Sequence, residues 1–102
     1  MKFEKVKYTL PELKEKFIPI FQEFGLLKAY AFGVYARNEQ IEGSGIDLLI
    51  KTDGIMEFET FYAFMRDLHH AARVKVDVTF QEYVNPYMKE EIKKEAILLY
   101  EK

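Results

Sequence analysis

The chain has no cysteine and no tryptophan, only two histidines, three prolines and five glycines in 102 residues. Without cysteine there is no disulfide framework, no thiolate zinc site and no cysteine nucleophile. Nothing therefore calls for an oxidising compartment, and a cytoplasmic location is expected. Neither sign of charge dominates, since 15 Lys and Arg stand against 17 Asp and Glu for a net charge of −2. A protein that coats nucleic acid needs clustered cations to displace counterions, so a long RNA or DNA is not an expected partner. No apolar run approaches the roughly 20 residues that would span a membrane. The first residues mix Lys and Glu in place of a signal peptide's apolar run, so a soluble, unprocessed domain is expected.

What the chain has in quantity is apolar and aromatic surface: 49% of its residues are hydrophobic, with nine Phe and seven Tyr. A chain of this length should bury about 60–70% of its unfolded surface. One domain over residues 1–102 is therefore expected, with the rings supplying much of its core.

Thr9-Leu10-Pro11-Glu12 reads as a capping box, with Pro11 in the first turn where its missing N–H costs nothing. Leu13, Phe17, Ile20, Phe21 and Phe24 follow at helical spacing up to Gly25, which predicts a helix over 11–24 that breaks near Lys16 to Ile18 because of Pro19. Leu27–Val34 and Ile46–Thr52 read as strands, the second closed by Asp53-Gly54. Glu57–Ala72 carries Phe58, Phe61, Met65, Leu68 and Ala72 on one helical face. Arg73–Phe80 alternates strictly and is the clearest strand. Asn85 and Pro86 open a last helix predicted to run to the C-terminal end, with Met88, Ile92, Ala96 and Leu99 as its buried stripe and Glu90–Lys94 as an exposed pair. The fold class is α/β (α+β), a small mixed sheet packed by helices in the order α-β-β-α-β-α. The apolar end Ala96–Tyr100 leaves Ile97 or Leu98 to face away from the core of Leu99, toward a partner.

Three of the five glycines (Gly33, Gly43, Gly45) cluster between the first two strands. A strand that runs straight into Gly33 lets backbone N–H groups approach a phosphate. Strand residues i and i+2 share a face, so Gly45 and Asp47 point the same way, and Asp77 joins them if the third strand is adjacent. Two carboxylates there suit a divalent metal. Equally, Asp47 and Asp77 read as plain polar members of half-exposed strands. His69 and His70 point about 100° apart on a helix and cannot chelate one ion, so they read as surface or helix-end residues.

Ala31-Phe32-Gly33-Val34-Tyr35-Ala36-Arg37-Asn38, followed by Ser44-Gly45-Ile46-Asp47-Leu48-Leu49-Ile50, resembles the motif of the minimal nucleotidyltransferases of the DNA polymerase beta superfamily. That motif is Gly-Ser, ten residues, then Asp-x-Asp, and Gly33-Val34, ten residues, then Gly45-Ile46-Asp47 keeps its spacing. Lys75-Val76-Asp77-Val78 stands where the family has a third carboxylate, and Asn85 to Tyr100 where it has a closing helix. The resemblance implies a nucleotidyltransferase fold over essentially the whole chain. It also implies nucleotide contacts at Gly33, Val34, Arg37 and Ser44, and metal and catalytic roles at Asp47 and Asp77.

The departures are specific. The family's phosphate-binding serine is Val34, its first metal-binding aspartate is Gly45, and a usual glycine is Asn38, which tolerates a left-handed backbone. Two cations about 3.5–4 Å apart need bridging carboxylates, and Asp47 with Asp77 supplies only two ligands. One weakly held Mg²⁺ is the more that can be expected, unless Glu39 or Glu42 of the loop, or Asp53, takes the missing place at an entropic cost. The resemblance thus implies an antitoxin-like partner of a small helical HEPN-type protein, weak or inactive in catalysis. The alternative it implies is an active Mg²⁺-dependent enzyme moving AMP from ATP to a hydroxyl of a partner protein or small acceptor, and a third is an inert structural domain. Homo-oligomerisation stays open.

Overall fold

The computed structural model describes residues 2–102. Its elements are α1 (Leu10–Glu23), β1 (Lys28–Phe32), β2 (Ile46–Lys51), α2 (Phe58–Ala72), β3 (Val76–Phe80), a single 3₁₀ turn (Gln81–Tyr83), α3 (Pro86–Glu95) and β4 (Ile97–Glu101). The sheet runs β3-β2-β1-β4. β1 pairs antiparallel with β2 and with β4, whereas β2 and β3 are parallel, the crossover being α2. The sheet is therefore mixed, as expected.

α1 begins where the sequence placed it. Thr9 Oγ1 accepts from the Glu12 N–H and Glu12 Oε1 accepts from the Thr9 N–H, closing the capping box. The expected break at Pro19 is absent, and α1 is continuous from Leu10 to Glu23. Pro19 and Glu15 are both exposed, so the carbonyl that loses its donor faces water, where it can be satisfied. β3 starts later than its alternation suggested. Arg73 adopts a left-handed conformation (φ 62°) as the C-terminal cap of α2, its N–H donating to the His69 carbonyl.

The largest correction lies at the C-terminal end. α3 stops at Glu95, Ala96 turns extended (φ −65°, ψ 137°), and Ile97–Glu101 forms the edge strand β4 in place of the last turns of a helix. The stripe expected on that helix does not form, since α3 buries no residue and Met88 is exposed. Leu99 is buried, but from β4. Ile97 and Leu98 are exposed, as the sequence foresaw. The β1–β4 register shifts between Ala29 and Tyr30, so that Tyr100 faces Ala29 and Leu98 faces Tyr30, with Leu99 as the extra residue of a bulge. Lys94 pairs with Glu91 at 3.5 Å, and no Glu90–Lys94 ion pair is found among the described residues.

Leu13, Phe17 and Phe21 of α1 with Phe64, Leu68 and Ala72 of α2 pack on one face of the sheet, formed by Ala29, Ala31, Ile46, Leu48, Ile50 and Val76. Since side chains alternate along a strand, the other face carries Phe32, Asp47 and Asp77. No helix among the described residues is long and apolar enough to cross a membrane.

Candidate functional site

Asp47 is the second residue of β2, and its neighbours in the sheet are Phe32 on β1 and Asp77 on β3. The parallel register sets the two carboxylates side by side on the face away from α1 and α2, which meets the expectation from spacing. Burial comes first, and the charge of Asp77 second, in raising the Asp47 carboxyl above its ordinary value, with Lys75 and Arg37 pulling it back. Asp77 is more exposed and stands 3.8 Å from Lys75 Nζ.

β1 ends one residue before Gly33, which turns left-handed (φ 73°), and a Cβ there would stand 2.6 Å from Asp47 Oδ2. The chain then winds through a tight turn in which the Arg37, Asn38 and Glu39 N–H groups donate to the carbonyls of Gly33, Tyr35 and Val34. Asn38 is left-handed (φ 57°), the conformation its side chain tolerates. Tyr35 anchors the turn: it is fully buried, and its hydroxyl oxygen accepts from the Tyr8 N–H at 3.2 Å. Burial also raises its phenol above the ordinary value. Val34 is half-buried, with its side chain packed against the core.

Arg37 reaches back over the turn. Its Nε pairs with Glu39 and its Nη1 with Glu95 at 3.2 Å, while Gly33 N–H donates to the same Glu95 Oε1 at 3.1 Å. Glu95 is a site residue that the sequence reading missed, because that reading placed it in mid-helix. Ser44 Oγ accepts from the Ile41 N–H at 2.9 Å, so this hydroxyl holds its own loop.

No third ligand joins the two aspartates: among the described residues no group of three His, Asp or Glu converges. Glu39 is engaged by Arg37, and Asp53 lies beyond the far end of β2. Gly45 is not left-handed, and a Cβ there would meet the Lys75 carbonyl oxygen at 3.3 Å and Lys75 Cβ at 3.9 Å. That places position 45 beside Lys75, which leads into β3, on the face it shares with Asp47 two residues on. As they stand, Asp47 and Asp77 fit one divalent ion completed by water and ligand phosphates, and do not fit a pair. A cavity of about 540 Å³, lined by Ile55, Met56, Phe58, Phe61 and Phe80, opens at the other end of β2 and takes no part in this site.

A family model described as "Polymerase beta, Nucleotidyltransferase" matches residues 15–102. A protein of Methanocaldococcus jannaschii that carries the provisional name protein adenylyltransferase is 35% identical over 89 residues, spanning 87% of this chain and 96% of that protein. Among solved structures, one provisionally described as a minimal nucleotidyltransferase superposes with a TM-score of 0.75 at 25% identity, over 88% of this chain and 95% of that one. Another is the MNT antitoxin complexed with a tri-AMPylated HEPN toxin of Shewanella oneidensis. It superposes with a TM-score of 0.71 at 14% identity, over 92% of this chain and 74% of its counterpart, and supports the fold alone.

Proposed function

The chain belongs to the polymerase beta nucleotidyltransferase family, and from that premise we propose that it acts by binding: an antitoxin-like partner of a small all-helical HEPN-type protein, with little nucleotidyl transfer of its own. One observation carries the reading. Asp47 and Asp77 stand in register, and the position that should complete their metal set is Gly45. Losing even several kcal/mol of transition-state stabilisation with the second ion slows transfer by about 10³-fold or more. The fold and the turn at Gly33 do not depend on that ion, so a nucleotide phosphate can still be received by the backbone N–H groups at Gly33 and Val34 and by Arg37. Val34 contributes no hydroxyl, which lowers that affinity. The exposed Ile97 and Leu98 on edge strand β4 offer apolar area to a partner chain.

A second reading, transfer of AMP from ATP to a hydroxyl of the partner, is favoured by the name of the 35% identical relative and by the retention of both Asp47 and Asp77. One experiment separates the two. The native protein and the Val34→Ser, Gly45→Asp double variant are titrated calorimetrically with ATP and Mg²⁺ or Mn²⁺. Where a small all-helical protein is encoded beside it, each is then incubated with that protein, whose mass is read afterwards. The binding reading expects a stable complex with the native protein and no added AMP, with transfer gained only in the double variant. Transfer of AMP by the native protein would overturn it, and failure of the native protein to associate with any adjacent helical product would remove the antitoxin role.

A further inference from the structure

We propose that Glu95 is a built-in anion occupying the phosphate seat, so that a phosphate-bearing ligand binds only by displacing it. This rests on the reading of the Gly33 turn as a phosphate seat. The Gly33 N–H donates to Glu95 Oε1 at 3.1 Å, and Arg37 Nη1 donates to Oε1 at 3.2 Å and to Oε2 at 3.4 Å. A backbone N–H at a left-handed turn, together with a guanidinium, is a donor set that recognises phosphate oxygens. A carboxylate meets the same demand, with two acceptor oxygens sharing one negative charge. Glu95 and a phosphate therefore compete for the same donors.

The arrangement is suited to exchange. Both side chains of the Arg37–Glu95 pair are about two-fifths exposed, at 45% and 40%, and ion pairs that water reaches are weak. Glu95 closes α3, which buries no residue, so its carboxylate can leave without uncovering the core. Arg37 keeps Glu39 on its Nε when Glu95 departs, and so stays aimed at the seat.

The test follows the Gly33 amide of ¹⁵N-labelled protein by NMR during titration with inorganic pyrophosphate, in the native chain, in Glu95→Ala and in Glu95→Gln, which keeps the side-chain length and removes the charge. Each substitution should move the Gly33 amide proton upfield as the charge-assisted bond is lost. Pyrophosphate should bring it back downfield, with an apparent Kd about tenfold lower than in the native chain, on the order of one such bond. An amide that neither substitution moves would show that Glu95 does not occupy the seat, overturning the proposal. Equal affinity in all three proteins would overturn the competition and leave the phosphate seat standing. Pyrophosphate that moves Gly33 in none of them would remove the seat itself, and the proposal with it.

Discussion

A Cβ on residue 33 would stand 2.6 Å from Asp47 Oδ2, so the turn glycine and the strand carboxylate are fitted to one another. The carboxylate occupies the space that any side chain at 33 would need, and the left-handed backbone (φ 73°) adds a second reason for glycine. Gly33→Ala should cost about 1–2 kcal/mol for the backbone conformation alone. It should also push the Asp47 carboxylate off the β1 side, toward Asp77 on β3. Urea unfolding measures the first effect and the Asp47 carboxyl titration by NMR the second; an unchanged titration would show that the carboxylate does not depend on the space at 33.

Asp47 makes stability depend on pH in a defined sense. Its folded-state carboxyl titrates above the ordinary value of 3.8, owing first to burial and then to Asp77. The folded chain therefore holds this proton more tightly than the unfolded chain. The corresponding stability is present in full below the unfolded value and is lost as pH rises through the folded one. Asp47→Asn should accordingly raise Tm at pH 7 relative to the native chain, with the difference closing below about pH 3. Asp77→Asn should bring the Asp47 titration part of the way down. Thermal melts across this range check the sign, and a lower Tm for Asp47→Asn at pH 7 would contradict it.

Restoring an acid at position 45 should be tolerated by the backbone, which is not left-handed there, and crowded by the Lys75 carbonyl oxygen at 3.3 Å. A third carboxylate beside Asp47 and Asp77 also adds repulsion. Gly45→Asp should lower stability by about 1 kcal/mol without divalent ions, a fall of about 4–8 °C for a chain of this size. Millimolar Mn²⁺ should recover that loss in the variant and move the native Tm far less. Equal Mn²⁺ responses would mean that position 45 does not complete the ligand set.

Tyr35 ties the site to the core. Tyr35→Phe removes the acceptor of the Tyr8 N–H and should cost about 1 kcal/mol, with the packing kept. Tyr35→Ala should cost about 3–5 kcal/mol, as for other large aromatic truncations in cores, and loosen the turn from Gly33 to Asn38. Chemical denaturation gives both values, and hydrogen exchange at the Glu39 amide, bonded to the Val34 carbonyl, reports the turn.

Local rules sufficed for the elements whose signals are local. The Thr9–Glu12 box and the alternation of Val76 to Phe80 each lie within one element, and the two aspartates follow from alternation once β2 and β3 are neighbours; the α2 stripe held at Leu68 and Ala72 but not at Phe58, which is exposed at the helix start while the unpredicted Phe64 takes the core position. β4 was not legible for the opposite reason. Ile97-Leu98-Leu99-Tyr100 is a short apolar run with no glycine or proline before it, and such a run fits a helix as well as a strand. What decides it is the free edge of β1, a partner 66 or more residues away in the ladder. Glu95 was hidden by the same circumstance, since its place beside Gly33 exists only once β4 is paired. Pro19 misled in another way, because its lost hydrogen bond falls on the solvated side of α1.

The bulge at Leu99 acts as a one-residue gear between the chain's end and its turn. Beyond the bulge, Tyr30 faces Leu98 and Ala31 faces Ile97, and the same count carried two residues further brings Gly33 opposite Glu95. Before the bulge, Lys28 faces Glu101 and Ala29 faces Tyr100, and that count would have brought Gly33 opposite Ala96, which has no charge to offer. Which side chain meets the Gly33 N–H is thus written in strand length. Deleting Leu99 should only straighten the ladder and leave Glu95 in place, whereas one residue inserted between Ile97 and Leu98 should hand the position to the Ala96 methyl group and leave the Gly33 N–H and Arg37 Nη1 unclaimed, with no substitution at any of the residues that form the contact.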